Sequence, residues 1–458
     1  MLSSVSDPRL IFLCAWLVVS TLACDDSQKP PDVILVSIDT LRADALEVRE
    51  DGWINMPRLA AFAEESYVFS KAYTQSPHTI VSHATMLTGL TPRTHGARAD
   101  RPLSETHTTL AEALSELGYR TAGFTAHADW LSRKKGFAQG FDRFESKFRS
   151  AEANSESAIG WLDSWWTRFS RRRGAPIFLF IHYYDVHSDW REFPYESEPR
   201  FAGFYADKAV EDFVGCRDDV CASRLLQRAN AEPEFLSSRE VDWIRGLYEA
   251  GVATLDRDLG EFLDALDRRG LLDTSWVVIT ADHGEAFGEH GRMLHSQPYR
   301  EAAQVPLVIR PPAGIERVDV EALVGLVDLV PTLLEILGAP AVREIEGESL
   351  VSLMAGGPAS DRLLEFDFYH VLENFSVRSA RFNLIFRGPD KDIELYDLAS
   401  DPDEHENVAR RFPRIVSEML STLADSRAQR IASLADPVAR QEISQEEASR
   451  LRALGYIE

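Results

Sequence analysis

The chain has 458 residues, 45% of them hydrophobic, enough for one large or two unequal domains with a buried core. Lys+Arg 49 against Asp+Glu 73 leaves a net charge of −24, which argues against a nucleic-acid polyanion as partner. An anionic small substrate stays open, because a bound cation outweighs a distant net charge locally.

Residues 10–23, LIFLCAWLVVSTLA, form the only long apolar run. It is short for a membrane-spanning helix and suits a signal-peptide core. Small residues lead into Cys24, and polar DDSQKPP follows. TLAC-D is similar to a bacterial lipoprotein processing site, with Thr21 where Leu is usual. That predicts an exported, cell-envelope protein held on the periplasmic side through lipid on Cys24, or a secreted one. An ordinary secretory signal or an uncleaved anchor is the alternative. The other cysteines of a processed chain, Cys216 and Cys221, are spaced for a local disulfide.

Along the chain, DVILVSID is a β-branched apolar run that predicts a buried parallel strand ending at Asp39. Residues 56–65 have a helical pattern, and YVFSKAY predicts a short strand. A helix begins in residues 76–89, SPHTIVSHATMLTG, and ends near Gly89. TTLAEALSELGYRTAGFTA predicts a helix, a glycine stop and a second main strand. Residues 151–173 predict a helix whose aromatic face (Trp161, Trp165, Trp166, Phe169) belongs to the core or a packing surface. APIFLFIHYYDVHSDW predicts a strand that delivers His182, Asp185 and His187. Residues 191–239 are a polar insertion at the site rim, and 241–269 a long helix. SWVVITADHGE predicts a strand ending at Asp282-His283, and VPLVIRPP a further strand. DLVPTLLEILGAP predicts a helix with Pro in its first turn and Gly beyond its end. FSVRSARFNLIF and IELYDLASDPDEHENVA predict antiparallel strands followed by a turn.

The alternation of strands and helices predicts an α/β fold, a mostly parallel central sheet flanked by helices, with a smaller C-terminal α+β subdomain. The domain division is 1–23 signal, 24–31 linker, 32–354 catalytic domain with the 191–239 insertion, 355–411 C-terminal subdomain and 412–458 helical tail.

In open α/β sheets, ligands gather at the carboxyl ends of strands. Asp39, Asp282 and His283 each follow an apolar strand, and Thr79 follows YVFSKAY. Two carboxylates, an imidazole and a hydroxyl suit one divalent cation: Ca, Mg, Mn or Zn. Such a cation lowers the pKa of a Thr hydroxyl, and a helix N-terminus favours the resulting anion. Taken singly, each residue reads equally as a helix cap or turn residue.

The pieces VSIDTLRAD, TIVSHATMLTGLTPRTHG, GYRTAGF, HYYDVHSDW, TADHGEAFGEHG, QVPLVIRPP, VDLVPTLLEILG and ELYDLASDPDEHENVA together resemble the sulfatase family of the alkaline phosphatase superfamily. They occur in the family's order over about residues 32–407. The resemblance implies metal ligands at Asp39, Thr79, Asp282 and His283, with Thr40 where a second acid often stands. It places Thr79 at the family's nucleophile, Val81 at its Pro and His83 at its Arg. It places His187 at the substrate-anion His and His295 at a sulfate-binding Lys. Ala126 and Ala128 stand where sulfatases carry Lys and His, with His127 between them.

Sulfatases convert Cys or Ser to formylglycine, and Thr cannot give that aldehyde. The resemblance therefore implies the unmodified-nucleophile branch, which cleaves or transfers phosphate esters. The expected mechanism is in-line displacement by Thr79, with His83, His187 and His295 stabilising the added charge and His290 or His295 protonating the leaving group. A second cation on Asp185, His187 and His295 is an alternative. So are a true sulfatase acting on carbohydrate or aryl sulfates and an idle, sulfatase-shaped binding lipoprotein. The expected substrate is a small-molecule, glycan or lipid ester.

Overall fold

A computed structural model describes residues 29–47, 55–127, 129–188, 195, 219–232, 234–340, 342, 344–368, 374–388 and 392–431. Ala128, Cys216 and the tail beyond residue 431 lie outside them, and Cys221 falls in the helix Asp219–Ala231.

Sixteen strands are described: β1 Asp32–Ile38, β2 Tyr67–Phe69, β3 Ala72–Tyr73, β4 Arg120–Thr125, β5 Arg143–Ser146, β6 Ile177–Tyr183, β7 Ser275–Ala281, β8 Ala286–Phe287, β9 Met293–Leu294, β10 Leu307–Arg310, β11 Val318–Val320, β12 Val324–Gly325, β13 Leu364–Asp367, β14 Asn374–Arg378, β15 Phe382–Arg387 and β16 Glu394–Asp397. Eight form the main sheet in the order β11-β2-β10-β7-β1-β6-β4-β5. β1 lies between β7 and β6, parallel to both. Every residue of β1 and β6 is buried, as their unbroken apolar sequences require of strands covered on both faces.

β10, expected from VPLVIRPP, runs antiparallel to both β7 and β2. The chain returns from β7 through the short hairpin β8–β9 and the four-residue helix Arg300–Ala303, with no long crossover helix to turn it parallel. YVFSKAY divides into β2 in the main sheet and β3, which pairs with β12.

One group of helices joins Pro57–Ala63, Ala151–Asp163 and the long Ser238–Asp267. The long helix starts with a capping box between Ser237 and Glu240. Another group joins Thr79–Thr88, Leu110–Glu116 and Leu329–Ile336. All ten residues of Thr79–Thr88 are buried, so this helix is core from end to end. Gly89 stops it at φ 68, where an added Cβ would also lie 3.1 Å from the Val330 side chain.

The aromatic helix differs from expectation. It breaks at Ser164 (φ −59, ψ 146), whose hydroxyl caps a second helix, Trp165–Arg172, by accepting from the Thr167 amide. Trp161, ahead of the break, is buried, whereas Trp165 is 72% exposed. The break turns the second aromatic face out of the core.

β13–β16 form a four-stranded antiparallel sheet. One face packs Phe366, Phe368 and Ile385 against Tyr73 and Tyr299 of the main body. The other packs Val377, Leu384 and Leu395 against Met419 and Leu423 of the helix Pro413–Ile431.

Candidate active site and metal centre

The register of β1 on β7 sets Ile38 beside Ala281, so Asp39 and Asp282 emerge side by side at the carboxyl ends of two parallel strands. On the other flank β6 sets His182 beside Ser37. The helix Thr79–Thr88 is tied to this edge by the Ser82 hydroxyl, which donates to the Asp282 carbonyl at 2.7 Å. Thr79 therefore opens a helix that starts at the strand ends.

Each acid has one oxygen committed and one left over. Asp39 Oδ2 accepts from Thr79 Oγ1 at 3.3 Å and from His182 Nε2 at 3.2 Å. Asp282 Oδ1 accepts from the His283 amide at 2.9 Å and the Thr40 amide at 3.2 Å. His283 Nδ1–H donates to the Gly284 carbonyl at 3.1 Å, which leaves Nε2 as a lone pair. Asp39 Oδ1, Asp282 Oδ2 and His283 Nε2 have no hydrogen-bond partner among the described residues. The three groups are fully buried, and their ligand atoms lie within 4.8 Å of one another.

Burial, reinforced by the Asp39 charge, pushes the Asp282 carboxyl above its ordinary range, and the histidines around it only partly counter this. Two adjacent buried carboxylates are costly unless a cation joins them. Two anionic oxygens and a neutral imidazole nitrogen, aimed at one point, fit a divalent ion. Thr40 supports the cluster through its backbone. It is a β-branched residue at φ 55, a strained region, and its hydroxyl donates to the Val186 carbonyl at 2.8 Å. The residue at the usual second acid is thus a brace for Asp282.

The histidines divide into two sets. His83 Nδ1–H donates to the Thr79 carbonyl at 2.7 Å, and its Nε2 accepts from the Ser37 hydroxyl at 2.8 Å. Burial lowers its pKa to about 4, so it is a neutral ring with both nitrogens engaged. His182, also lowered to about 4 by burial, packs edge-on against it with ring centroids 4.9 Å apart. The second set is His187, His283 and His295. The His295 ring lies 4.4 Å from His283 and 5.4 Å from His187. His295 Nδ1 is 3.2 Å from Glu285 Oε1, and burial raises the Glu285 carboxyl to about 7. Tyr184 stacks on His187 and bonds its Nδ1 at 2.9 Å.

Asp185 is directed elsewhere: its Oδ1 accepts from the Ala151 amide at 2.9 Å. Among the described residues it forms no compact ligand group with His187 and His295. His290 stacks on Tyr299 at 3.7 Å and lines a cavity of about 200 Å³ with Arg42, Glu289, Arg300 and Glu301. His127 is buried against Tyr184, with ring centroids 4.6 Å apart.

Sequence reasoning left His182 as a possible sheet-flank residue and missed Glu285. His182 is one of the two donors to Asp39. The available signal was its place in the strand: in FIHYYD it comes one residue before the strand's end, level with the end of a neighbouring parallel strand. Glu285 follows the candidate metal-binding pair in DHGE by two positions.

A family model described as "Sulfatase" matches residues 31–339, and "N-sulphoglucosamine sulphohydrolase, C-terminal" matches 288–429. Arylsulfatase K of Xenopus laevis is 24% identical over 88% of this chain and 83% of its own. An arylsulfatase of Clostridium perfringens is 24% identical over 82% of this chain and 90% of its own. Among solved structures, one in complex with its substrate D-glucosamine-2-N,6-O-disulfate superimposes with TM-score 0.68 at 20% identity, covering 88% of this chain and 99% of that one. The phosphonate monoester hydrolase of Agrobacterium radiobacter gives TM-score 0.67 at 21% identity, covering 87% and 96%. The chain belongs to the sulfatase family, and so to the ester hydrolases of the alkaline phosphatase-like superfamily. Its α/β fold is that of these structural neighbours. Among the described residues no helix is long and apolar enough to cross a membrane.

Proposed function

We propose that the protein is a metal-dependent hydrolase or transferase that attacks phosphate esters, or sulfate esters, through the Thr79 hydroxyl. The observation that carries this reading is the Thr79 hydroxyl, 3.3 Å from Asp39, beside the unsatisfied Asp39–Asp282–His283 cluster. Those three residues, with Thr79, would hold the ion, which when bound lowers the hydroxyl pKa and offsets negative charge on the ester.

The chain's own groups do the rest. Asp39 Oδ2 receives the Thr79 hydroxyl proton and turns the oxygen lone pairs away from itself. His182 holds Asp39, and His83 holds the first turn of the helix through the Thr79 carbonyl. Thr79 Oγ1 bonds to phosphorus as the bond to the leaving alcohol breaks. His295, paired with Glu285, protonates that alcohol in preference to His290, which stacks on Tyr299. His187 and the helix N-terminus, which no side chain caps among the described residues, stabilise the non-bridging oxygens. Water or an acceptor alcohol then releases the Thr79 ester. His83, neutral and doubly bonded, is a positioning residue in this scheme.

Thr at position 79 favours phosphorus over sulfur, since an alkoxide lacks the aldehyde-hydrate route for expelling sulfate. The arylsulfatase names of the relatives favour the second reading, a sulfuric ester hydrolase. The two are separated by kcat/KM on matched aryl phosphodiester, phosphonate monoester and sulfate substrates, with intact-mass detection of a Thr79 adduct. Thr79→Ala should lower kcat about a thousandfold or more while the ester still binds. Unchanged turnover in that variant removes Thr79 from the reaction. We also propose that lipid on Cys24 anchors the exported protein.

A further inference from the structure

We propose that the helix Trp165–Arg172 docks on the surface of an anionic lipid bilayer, holding the amino-terminal ends of the sheet strands toward the membrane and the candidate site away from it. This goes beyond the catalytic reading and is independent of it.

Trp165, Trp166 and Phe169 are 72%, 51% and 36% exposed. They form one cluster, with the Phe169 ring stacked on both tryptophans at centroid distances of 5.3 and 6.0 Å. Three large rings gathered on a single exposed helix face form a patch, unlike the scattered apolar residues normal at a surface. The segment WWTRFSRRR also carries four arginines and no acid, in a chain of net charge −24. Arg168, Arg172 and Arg173 are exposed, and Arg173 lies 4.7 Å over the Phe169 ring. Two indoles with apolar bodies and polar N–H tips, an apolar phenyl ring stacked on both and guanidinium groups at the flank match the headgroup level of a bilayer with anionic lipid. A second copy of this face would set arginines against arginines.

The covalent path of the chain points to the same occupant. Arg171 is ion-paired with Asp32 at 2.9 Å, and the Tyr119 hydroxyl donates to the Pro31 carbonyl at 2.9 Å. The chain thus enters β1 beside this helix. Cys24 and the apolar run 10–23 lie just upstream, with residues 25–31 between. Seven residues span at most about 25 Å, so lipid on Cys24 would keep the aromatic face close to the bilayer. Asp32 and Asp39 bracket β1, which at strand rise puts the candidate metal centre about 23 Å from the docking edge. Docked this way, the site receives esters from the aqueous side and not from the leaflet beneath it.

The test uses the full chain carrying Trp16→Phe, so that the leader tryptophan is silent. It is bound to vesicles of phosphatidylcholine with or without phosphatidylglycerol, the acyl chains brominated to quench nearby indoles. Quenching is expected in the anionic vesicles, and Trp165→Ser with Trp166→Ser should remove most of it while turnover of a soluble ester is unchanged. Arg168→Gln with Arg172→Gln and Arg173→Gln should reduce it toward the level in pure phosphatidylcholine. Equal quenching in the double-serine variant, or none in the parent, overturns the proposal. So does a dimer in sedimentation that the serine substitutions disperse without any effect on quenching, which would assign the face to a second copy. Cys24→Ser tests the anchor separately.

Discussion

Replacing Asp282 by Asn changes one atom of the cluster and should move stability in opposite directions with and without metal. The Asn oxygen can take the place of Oδ1, which accepts from the amides of His283 and Thr40. The amide nitrogen then occupies the position of Oδ2, beside Asp39 and His283. Without metal, the wild-type chain holds two buried carboxylates against each other. The variant removes one charge and sets a donor 3.4 Å from the His283 Nε2 lone pair, a gain of about 1–3 kcal/mol in metal-free stability. With metal the order reverses. A ligand at a hundredfold its Kd stabilises the native state by about 2.7 kcal/mol, and the variant forfeits that because a donor now faces the ion. The assay is thermal or urea unfolding of both proteins in chelator and across a titration of Mg, Mn, Ca and Zn. A variant less stable than wild type in chelator, or one with an undiminished metal shift, refutes the assignment of Oδ2 as a ligand.

The remaining expectations are narrower. His182→Leu removes a donor that orients Asp39 and should weaken metal affinity about 10–100-fold with the ligands untouched, as read by metal titration. Unchanged affinity would make His182 a packing residue only. His95 is buried, accepts from the Ala97 amide and donates to the Thr85 hydroxyl, and burial holds its pKa well below the ordinary value. The unfolded chain therefore takes up a proton below about pH 6.5 that the native chain refuses, so stability present above that pH is lost as pH falls, by at most about 1.4 kcal/mol per unit. The slope of unfolding free energy against pH should be shallower in His95→Asn, and equal slopes would refute the assignment.

Much of this was legible in the sequence because it is local. A β-branched run followed by an acid marks a strand end, and Asp39 and Asp282-His283 sit where that pattern puts them. Thr79 and Gly89 bound the buried helix as its start and stop signals indicate. What escaped depends on register, on backbone direction or on competition between partners. Ser37 and His182 are neighbours only because β1 and β6 pair in one particular register. The four-residue spacing of Thr79 and His83 puts both on one helix face, but it does not reveal that the ring spends its proton on the Thr79 carbonyl. The outward turn of Trp165 and Trp166 follows from one non-helical residue, Ser164, in a segment whose pattern otherwise continues.

The neutrality of His83 bears on which ester fits. The family resemblance puts an Arg at this position, and a guanidinium there would add a fixed positive charge beside Thr79. Here the ring is neutral, with a pKa of about 4 and both nitrogens committed. The guanidinium of Arg42, which reaches the Glu285 carbonyl at 2.7 Å, is already matched by Asp44 and Glu289. A site with one fewer fixed cation compensates a single ester charge better than two. Phosphodiesters, phosphonate monoesters and sulfate monoesters carry one negative charge near neutrality, and phosphate monoesters carry close to two. The expected order in kcat/KM is therefore aryl phosphodiester above the matched aryl phosphate, with the gap narrowing as pH falls and the monoester gains a proton. Preference for the phosphate monoester at pH 8, persisting as pH falls, would mean that other groups supply the missing charge and that neutral His83 does not set the substrate's charge.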